Sequence, residues 1–336
     1  MTAEPDVSSA PSVEPVDLCP LCGGGERHEL LPAAGGVGVV RCRGCGLVHA
    51  TGVYTASSLG DSDSRDASRR EPEPAVRDVR RKRRAVQLYD RLSGFRIGSP
   101  PAGARALDIG CDTGLLLDVL RDLGYRTEGI ERSPAAAQAE AAGHDVHALD
   151  IEVTELGLGR YELITLTHVL DQLREPVRGL RWIRRHLAPG GLAVIDVPNW
   201  GDLLRPLWGR RFRPLGLGDH VSFFERATLT NALQRAGLEV EIVWSAPQFG
   251  TGIAPSLLTA ADLARELRGR LRRQGSAAGP HSRAARQGRG WLNFAASRAI
   301  RALDRLDDLL GPWLEGAFGP ACPWGASLVA VVRAPG

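Results

Sequence analysis

Three carboxylates, on Asp108, Asp112 and Glu131, are spaced to grip a ligand that carries hydroxyls or positive charge. The stretch from Ala104 to Gly114 reads ARALDIGCDTG, an apolar run ending at Asp108 followed by a turn bracketed by Gly110 and Gly114. The helix-like LLLDVLRDLG comes directly after. Glycine lacks the Cβ that would stop the backbone from turning sharply and approaching a ligand closely. The N–H groups at the start of the following helix, Thr113 to Leu115, lack helical partners and point above the strand. About 20 residues on, the apolar run YRTEGI leads to Glu131, where a strand-end carboxylate accepts hydrogen bonds from ribose hydroxyls. Strand, tight turn, helix and second strand-end acid together describe a nucleotide pocket. The dinucleotide fingerprint is absent: Asp112 sits in the middle of the turn and no glycine lies three residues beyond Gly114. An anion at that point repels a pyrophosphate and suits an ammonium.

Cysteine chemistry is concentrated at the other end of the chain. DLCPLCGG places Cys19 and Cys22 on one short turn, and VVRCRGCGLV repeats the arrangement at Cys42 and Cys45. Gly23 and Gly46 let each turn fold so that both sulfurs face one ion, and four thiolates at this spacing argue for tetrahedral zinc. A site with four protein ligands is closed to substrate, so the expected metal is structural. His28 and His49 lie nearby but are not needed as ligands. The segment 18–54 is therefore expected to be a zinc ribbon, with disulfides the poorer explanation where no export signal is visible.

LDIGCDTG, IERSP, HVLDQLREP, LAPGG and VPN, in this order, resemble class I S-adenosylmethionine-dependent methyltransferases that act on small molecules and sugars. The resemblance spans roughly residues 85 to 245. It implies that Asp108, Gly110, Asp112 and Gly114 surround the amino acid portion of the cofactor S-adenosylmethionine, that Glu131 holds its ribose, and that Asp150 and Ile151 contact its adenine. Two positions depart from the family pattern. Asp112 stands where glycine is more usual, and Leu170-Asp171-Gln172 stands where leucine-glutamate-histidine is usual. An N-terminal ribbon joined to such a domain also resembles sugar C-methyltransferases, without the large C-terminal domain those enzymes carry.

Methyl transfer requires alignment of nucleophile, methyl carbon and leaving sulfur, exclusion of water and, for a hydroxyl acceptor, removal of a proton. Histidine suits that last task because its ordinary pKa lies near neutrality. His168, closing the fourth strand, and His220, in GLGDHVSFF, are the candidate bases. For each an alternative stays open: His168 packing against the cofactor, and His220 as a loop residue bonded to Asp219 or to backbone.

These residues need a scaffold. Strand-like and helix-like segments alternate from Ala104 onward: a helix over PAAAQAEAAG, a third strand over VHAL, a fourth over YELITLT, a helix over PVRGLRWIRRHLAPGG, and a strand over LAVIDV. A helix from Thr228 to Gly237, a strand over LEVEIVW and a last strand at 327–333 complete the series. The expected fold class is α/β: a Rossmann-like, doubly wound, mostly parallel seven-stranded sheet, with the small N-terminal ribbon and a helical insert before the last strand. Residues 1–17 are expected to be a disordered tail, 55–75 a linker, 76–245 plus 327–336 the methyltransferase domain, and 246–326 the insert, read as lid, recognition element or ordinary packing.

Composition narrows the function classes. Of 336 residues 43% are hydrophobic, enough to bury a full core, and the net charge of +3 implies no global attraction to nucleic acid. No apolar run is long enough to span a bilayer, and the first residues carry neither a basic start nor an apolar stretch, so the expected compartment is cytoplasmic. The arginine-rich helices give only weak support to peripheral membrane contact. The leading expectation is methylation of a small metabolite, sugar or natural product, with oxygen as the favoured acceptor atom. An RNA methyltransferase that uses its ribbon for recognition and a non-catalytic cofactor-binding scaffold are the alternatives.

Overall fold

A computed structural model describes residues 12–55, 100–154, 159–203, 205–212, 215–246 and 325–335. The expected linker, the first part of the expected methyltransferase domain (76–99) and nearly all of the insert lie outside the described residues. Two compact units divide the chain, one formed by 1–198, 216–243 and 328–336, the other by 199–215 and 244–327.

The first unit opens with β1 (Val13–Pro15), β2 (Arg27–Ala34), β3 (Val37–Cys42), β4 (Val48–Ala50) and β5 (Gly52–Tyr54). The β1 strand lies inside the segment expected to be a disordered tail. Val13 pairs with Tyr54 in an antiparallel ladder and Val16 is buried, so order begins before the first cysteine.

The parallel sheet is built from β6 (Arg105–Ile109), β7 (Arg126–Ile130), β8 (Asp145–His147), β9 (Tyr161–Thr167) and β10 (Leu187–Pro198). With β12 (Glu239–Ala246) and β13 (Ser327–Arg333) it forms seven strands in the order β12-β13-β10-β9-β6-β7-β8. The pairs β10–β9, β9–β6, β6–β7 and β7–β8 are all parallel. Strands in the middle of such a sheet are covered on both faces, which is why β9 reads as a nearly continuous apolar run rather than an alternating one.

The helices are α1 (Leu115–Asp122), α2 (Ala136–Ala141), α3 (Pro176–His186), α4 (Arg205–Trp208, in the second unit) and α5 (Arg226–Arg235). Pro176 opens α3 at a position where its missing N–H costs nothing. Leu180 and Ile183 point to the core, while Arg181, Arg184 and Arg185 face out. The helix stops at His186, earlier than the sequence pattern predicts. Leu187 already pairs with Tyr161, and the register shift before Leu192 absorbs Pro189 and the positive φ of Gly190 into β10. In contrast α5 starts two residues early, because Glu225 and Thr228 form a reciprocal capping box. Gly237, with φ of 75°, follows its C-cap.

One short strand ties the N-terminal sheet to the segment just ahead of α5. β11 (Ser222–Phe223) pairs antiparallel with β4, giving a four-stranded sheet of order β11-β4-β3-β2. Cys19, Leu21, Cys42 and Leu47 share a single buried cluster with Leu107, Ile164, Ile195, Phe224 and Leu229. Among the described residues no helix is long and apolar enough to cross a membrane.

Candidate functional site

Parallel strands deliver their carboxyl ends to one edge of the sheet, and the segments that follow β6, β7, β9 and β10 carry the residues of interest. Asp108, near the end of β6, is buried and its Oδ1 accepts a 2.7 Å hydrogen bond from the hydroxyl of Thr165 on β9. Burial pushes its pKa up to about 7; the Thr165 hydroxyl opposes the rise, and the charges of Glu131 and Asp112 add to it. The same surroundings, burial first and then Asp108, Glu131 and Asp112, lift the Cys111 thiol to about 12. Three carboxyl groups thus converge on one turn. A cation placed there would relieve their mutual repulsion, and an anion would not.

The turn owes its shape to a different use of glycine from the expected one. Gly110 and Gly114 have φ of 77° and 84°, in the left-handed region. A Cβ on Gly110 would stand 2.3 Å from Cγ2 of Val169, and one on Gly114 would stand 2.9 Å from Cδ2 of His144. Packing behind the turn, rather than a ligand in front of it, already requires glycine at both places. Asp112 itself has a positive φ of 51°, and its N–H donates to Glu131 Oε2 at 3.0 Å. Glu131 Oε1 accepts from the N–H of Ser133 at 2.7 Å, so backbone amides fix the carboxylate from two sides. Gly114 brings no side chain to cap α1, which leaves the first N–H groups of that helix available to a ligand.

Asp150 is tied to the same neighbourhood through Arg132, whose Nη1 lies 2.6 Å from Asp150 Oδ2. Ile151 is placed differently. Its side chain is buried in the core cluster, and a Cβ on Gly179 would meet its Cδ1 at 3.3 Å.

The two histidines follow β9 and precede β11. His168 adopts a φ of 55°, its N–H donates to the carbonyl of Asp196 at 2.8 Å, and its Nε2 lies 3.9 Å from Asp196 Oδ1. His220 has its Nε2 3.1 Å from Asp171 Oδ2, and the Asp171 side chain is almost wholly buried. Nε2 and the carboxylate thus face each other at ion-pair distance; a proton carried on Nε2 would lie toward Asp171 and leave the lone pair on Nδ1. Nδ1 is buried and has no hydrogen-bond partner among the described residues. The ring lies against Gly216, where a Cβ would stand 2.6 to 2.8 Å from three of its atoms. The carbonyl of Asp171 also accepts from the N–H groups of Val221 and Ser222 at 2.8 and 2.9 Å. Val169, packed on Gly110, lies between His168 and Asp171 in the chain, so the histidine-bearing segment and the acidic turn are built as neighbours.

The structure places Asp108, Gly110, Asp112, Gly114 and Glu131, the residues singled out by spacing, around one turn. Spacing missed Asp171 and Asp196. Asp196 carried a usable signal, an acid near the end of an apolar strand just as Asp108 is; Asp171 showed itself only as a departure from the family pattern.

The four cysteines form the second cluster. Their sulfurs all lie within 4.8 Å of one another, with Cys19 to Cys45 and Cys22 to Cys42 both at 3.5 Å, and no disulfide joins them. Sulfurs at about 2.3 Å from a tetrahedral zinc stand about 3.8 Å apart, so the donor set fits that ion. Burial raises the Cys19 thiol and lifts Cys45 to about 11. A Cβ on Gly24 would meet the Sγ atoms of Cys22 and Cys42 at 3.4 and 3.7 Å.

Residues 77–243 match the family described as "Methyltransferase domain". That segment is a class I S-adenosylmethionine-dependent methyltransferase domain. Among curated relatives of this methyltransferase is the ubiquinone biosynthesis O-methyltransferase of Cereibacter sphaeroides (strain ATCC 17025 / ATH 2.4.3), 28% identical over 153 residues, covering 42% of this chain and 62% of the relative. The protein of the same name from Xanthomonas axonopodis pv. citri is 28% identical over 157 residues, covering 43% and 66%. The methyltransferase therefore spans less than two thirds of the length of these relatives. A solved S-adenosylmethionine dependent methyltransferase from Mesorhizobium loti aligns with a TM-score of 0.41 at 16% identity, over 72% of this chain and 96% of that one.

Proposed function

We propose that this protein transfers a methyl group from S-adenosylmethionine to a hydroxyl of a small metabolite, sugar or natural product, with His220 taking the proton. The carrying observation is the pair Asp171–His220, with Nε2 3.1 Å from the carboxylate and Nδ1 buried without a hydrogen-bond partner among the described residues. The cofactor, when bound, supplies a methyl group already activated by its sulfonium. The residues do the rest. Asp108, Asp112 and the turn Gly110–Gly114 receive the cationic amino acid end, Glu131 receives the ribose, and the segment Asp150–Ile151 borders the adenine. Asp171 holds the His220 ring in one tautomer and stabilises the imidazolium as it forms, a division of labour familiar from carboxylate-oriented histidine bases. His168, held by Asp196 beside the turn, shapes the wall between cofactor and acceptor.

Oxygen as the acceptor atom rests on the O-methyltransferase names of the two relatives, neither of which is named for RNA. The four cysteines hold a structural zinc ion, closed to substrate, in the lobe that β11 joins to the sheet.

The test is incubation of the protein with cofactor carrying a labelled methyl group and a small-metabolite extract, followed by chromatography. Label in a small-molecule fraction, released by neither mild acid nor mild base as an ester would be, supports an ether product. Label confined to added RNA contradicts the reading.

A further inference from the structure

His220 sits in a glycine-rich loop whose own backbone contacts are few: Asp219 and His220 N–H both donate to Gly216 O at 3.0 Å. Gly216 and Gly218 flank Leu217 with φ of 50° and 104°, so the backbone on either side has freedom that other residues lack. Three constraints come from outside the loop. From behind, the carbonyl of Asp171 receives the N–H groups of Val221 and Ser222. From the cysteine-bearing lobe, Ala50 N–H donates to Val221 O at 2.9 Å, and His49 and Val48 pair with Ser222 and Phe223. The third comes from Tyr54. Its N–H donates to Gly218 O at 2.8 Å, and its ring covers Gly218 so closely that a Cβ there would stand 2.3 Å from Cε2 and 2.4 Å from Cδ2. Of these contacts only the Tyr54 ring is a side-chain device, and it presses on the glycine two residues before His220. Downstream, Arg41 grips Glu225 with both ends of its guanidinium, Nη2 to Oε1 at 2.7 Å and Nη1 to Oε2 at 3.2 Å.

We propose that Tyr54 is a positioning residue for His220: its ring, carried by the cysteine-bearing lobe, holds the 216–222 loop so that the imidazole stays on Asp171. The lobe is then part of the proton-transfer apparatus and not only a stabilising appendage. This inference rests on the reading of His220 as the proton acceptor.

Removing the ring leaves the backbone contacts in place and restores rotation at Gly218, so the loop populates arrangements in which Nε2 leaves the carboxylate. The experiment uses the full chain labelled with nitrogen-15 in histidine, with His220 assigned through His220→Gln. In the unaltered protein the Nε2-bound proton of His220 gives a signal in slow exchange with water. In Tyr54→Ala that proton exchanges at least tenfold faster, or its signal broadens away, while the ring signals of buried His49 and His186 persist. Methyl transfer to extract falls about tenfold and affinity for S-adenosylhomocysteine is unchanged. Tyr54→Phe keeps the ring atoms that touch Gly218 and restores the slow signal. A slow, unshifted His220 signal in Tyr54→Ala overturns the proposal. Should Tyr54→Ala lose all its histidine ring signals through unfolding, Tyr54→Leu decides by the same two outcomes. An unaltered protein with its proton on Nδ1 overturns the Asp171–His220 reading itself, which separates that failure from failure of Tyr54 alone.

Discussion

Asp171 Oδ2 stands 3.1 Å from His220 Nε2, with the carboxylate on the segment after β9 and the imidazole just ahead of β11. Two pieces of chain remote in sequence thereby meet in one carboxylate–imidazole pair. Replacing Asp171 by Asn keeps the volume but turns an obligate acceptor into a group that also donates, and the imidazole loses its imposed tautomer. We expect methyl transfer to drop by about 100-fold or more in both Asp171→Asn and His220→Gln, the scale on which general bases contribute. Cofactor affinity, measured in the same samples, stays within about twofold, since neither residue belongs to the acidic turn. Loss of cofactor binding in parallel with transfer would place the pair in the wrong site.

Gly216 gives a test of the ring's seat. Gly216→Ala puts a methyl group inside contact distance of three imidazole atoms and asks alanine to adopt a φ of 50°. The ring must move. Transfer should fall at least tenfold with folding retained, at a cost to the thermal midpoint of a few degrees for about 1 kcal/mol of strain. Full activity in a folded Gly216→Ala protein would show that the observed ring position is not the working one.

Asp108 predicts how cofactor binding depends on pH. With no cation present its carboxyl is half protonated near pH 7, because burial and the neighbouring acids Glu131 and Asp112 outweigh the Thr165 hydroxyl. A cationic ligand favours the ionised form, so binding below pH 7 must expel a proton, and affinity should weaken by up to about tenfold per unit as pH falls from 7 to 5. Calorimetry in buffers of different ionisation enthalpy reads that proton release directly. The folding consequence has its own sign. Between the ordinary value of 3.8 and about 7 the folded ligand-free chain holds a proton that the unfolded chain has shed, so this group's contribution to stability is full below the window and declines as pH rises through it. Asp108→Asn should flatten both dependences. Unchanged pH dependence in that variant would assign the titration elsewhere.

What the sequence disclosed was local. The glycine turn, the strand-end acids and the paired cysteines are read within a dozen residues, and β9 at Tyr161–Thr167 follows from its largely apolar run. The contacts that complete the site are not local. Arg41 and Glu225 are 184 positions apart, and no periodicity in either neighbourhood announces their pairing. The same holds for Tyr54 on Gly218 and for Asp171 on His220, which depend on β11 adding to the edge of the N-terminal sheet. Gly110 and Gly114 illustrate the intermediate case. Their need for positive φ was legible, while the side chains of Val169 and His144 that fill the missing Cβ positions were not.

The cysteine cluster predicts a communicated effect of metal loss. Cys19 and Cys42 share a buried cluster with Phe224 and Leu229, and β4 pairs with β11. Stripping zinc with a strong chelator, or replacing Cys22 or Cys45 by Ser, should therefore do more than unfold the first lobe. Amide hydrogen exchange at Val221 and Ser222 should accelerate, while exchange along β6 and β9 stays slow. Elemental analysis should give one zinc per chain before treatment. Protection at Val221 and Ser222 that is indifferent to the metal would show that the lobe's hold on this loop does not depend on it.

The central claim is that a sulfonium nucleoside binds over the acidic turn after β6, with Glu131 fixed to receive it. Calorimetric titration of S-adenosylmethionine into the protein and into Glu131→Ala at pH 7.5 tests this most directly. We predict saturable one-to-one binding by the unaltered chain and its loss in the variant. No heat at high micromolar ligand in the first case, or equal affinity in the two, contradicts the account.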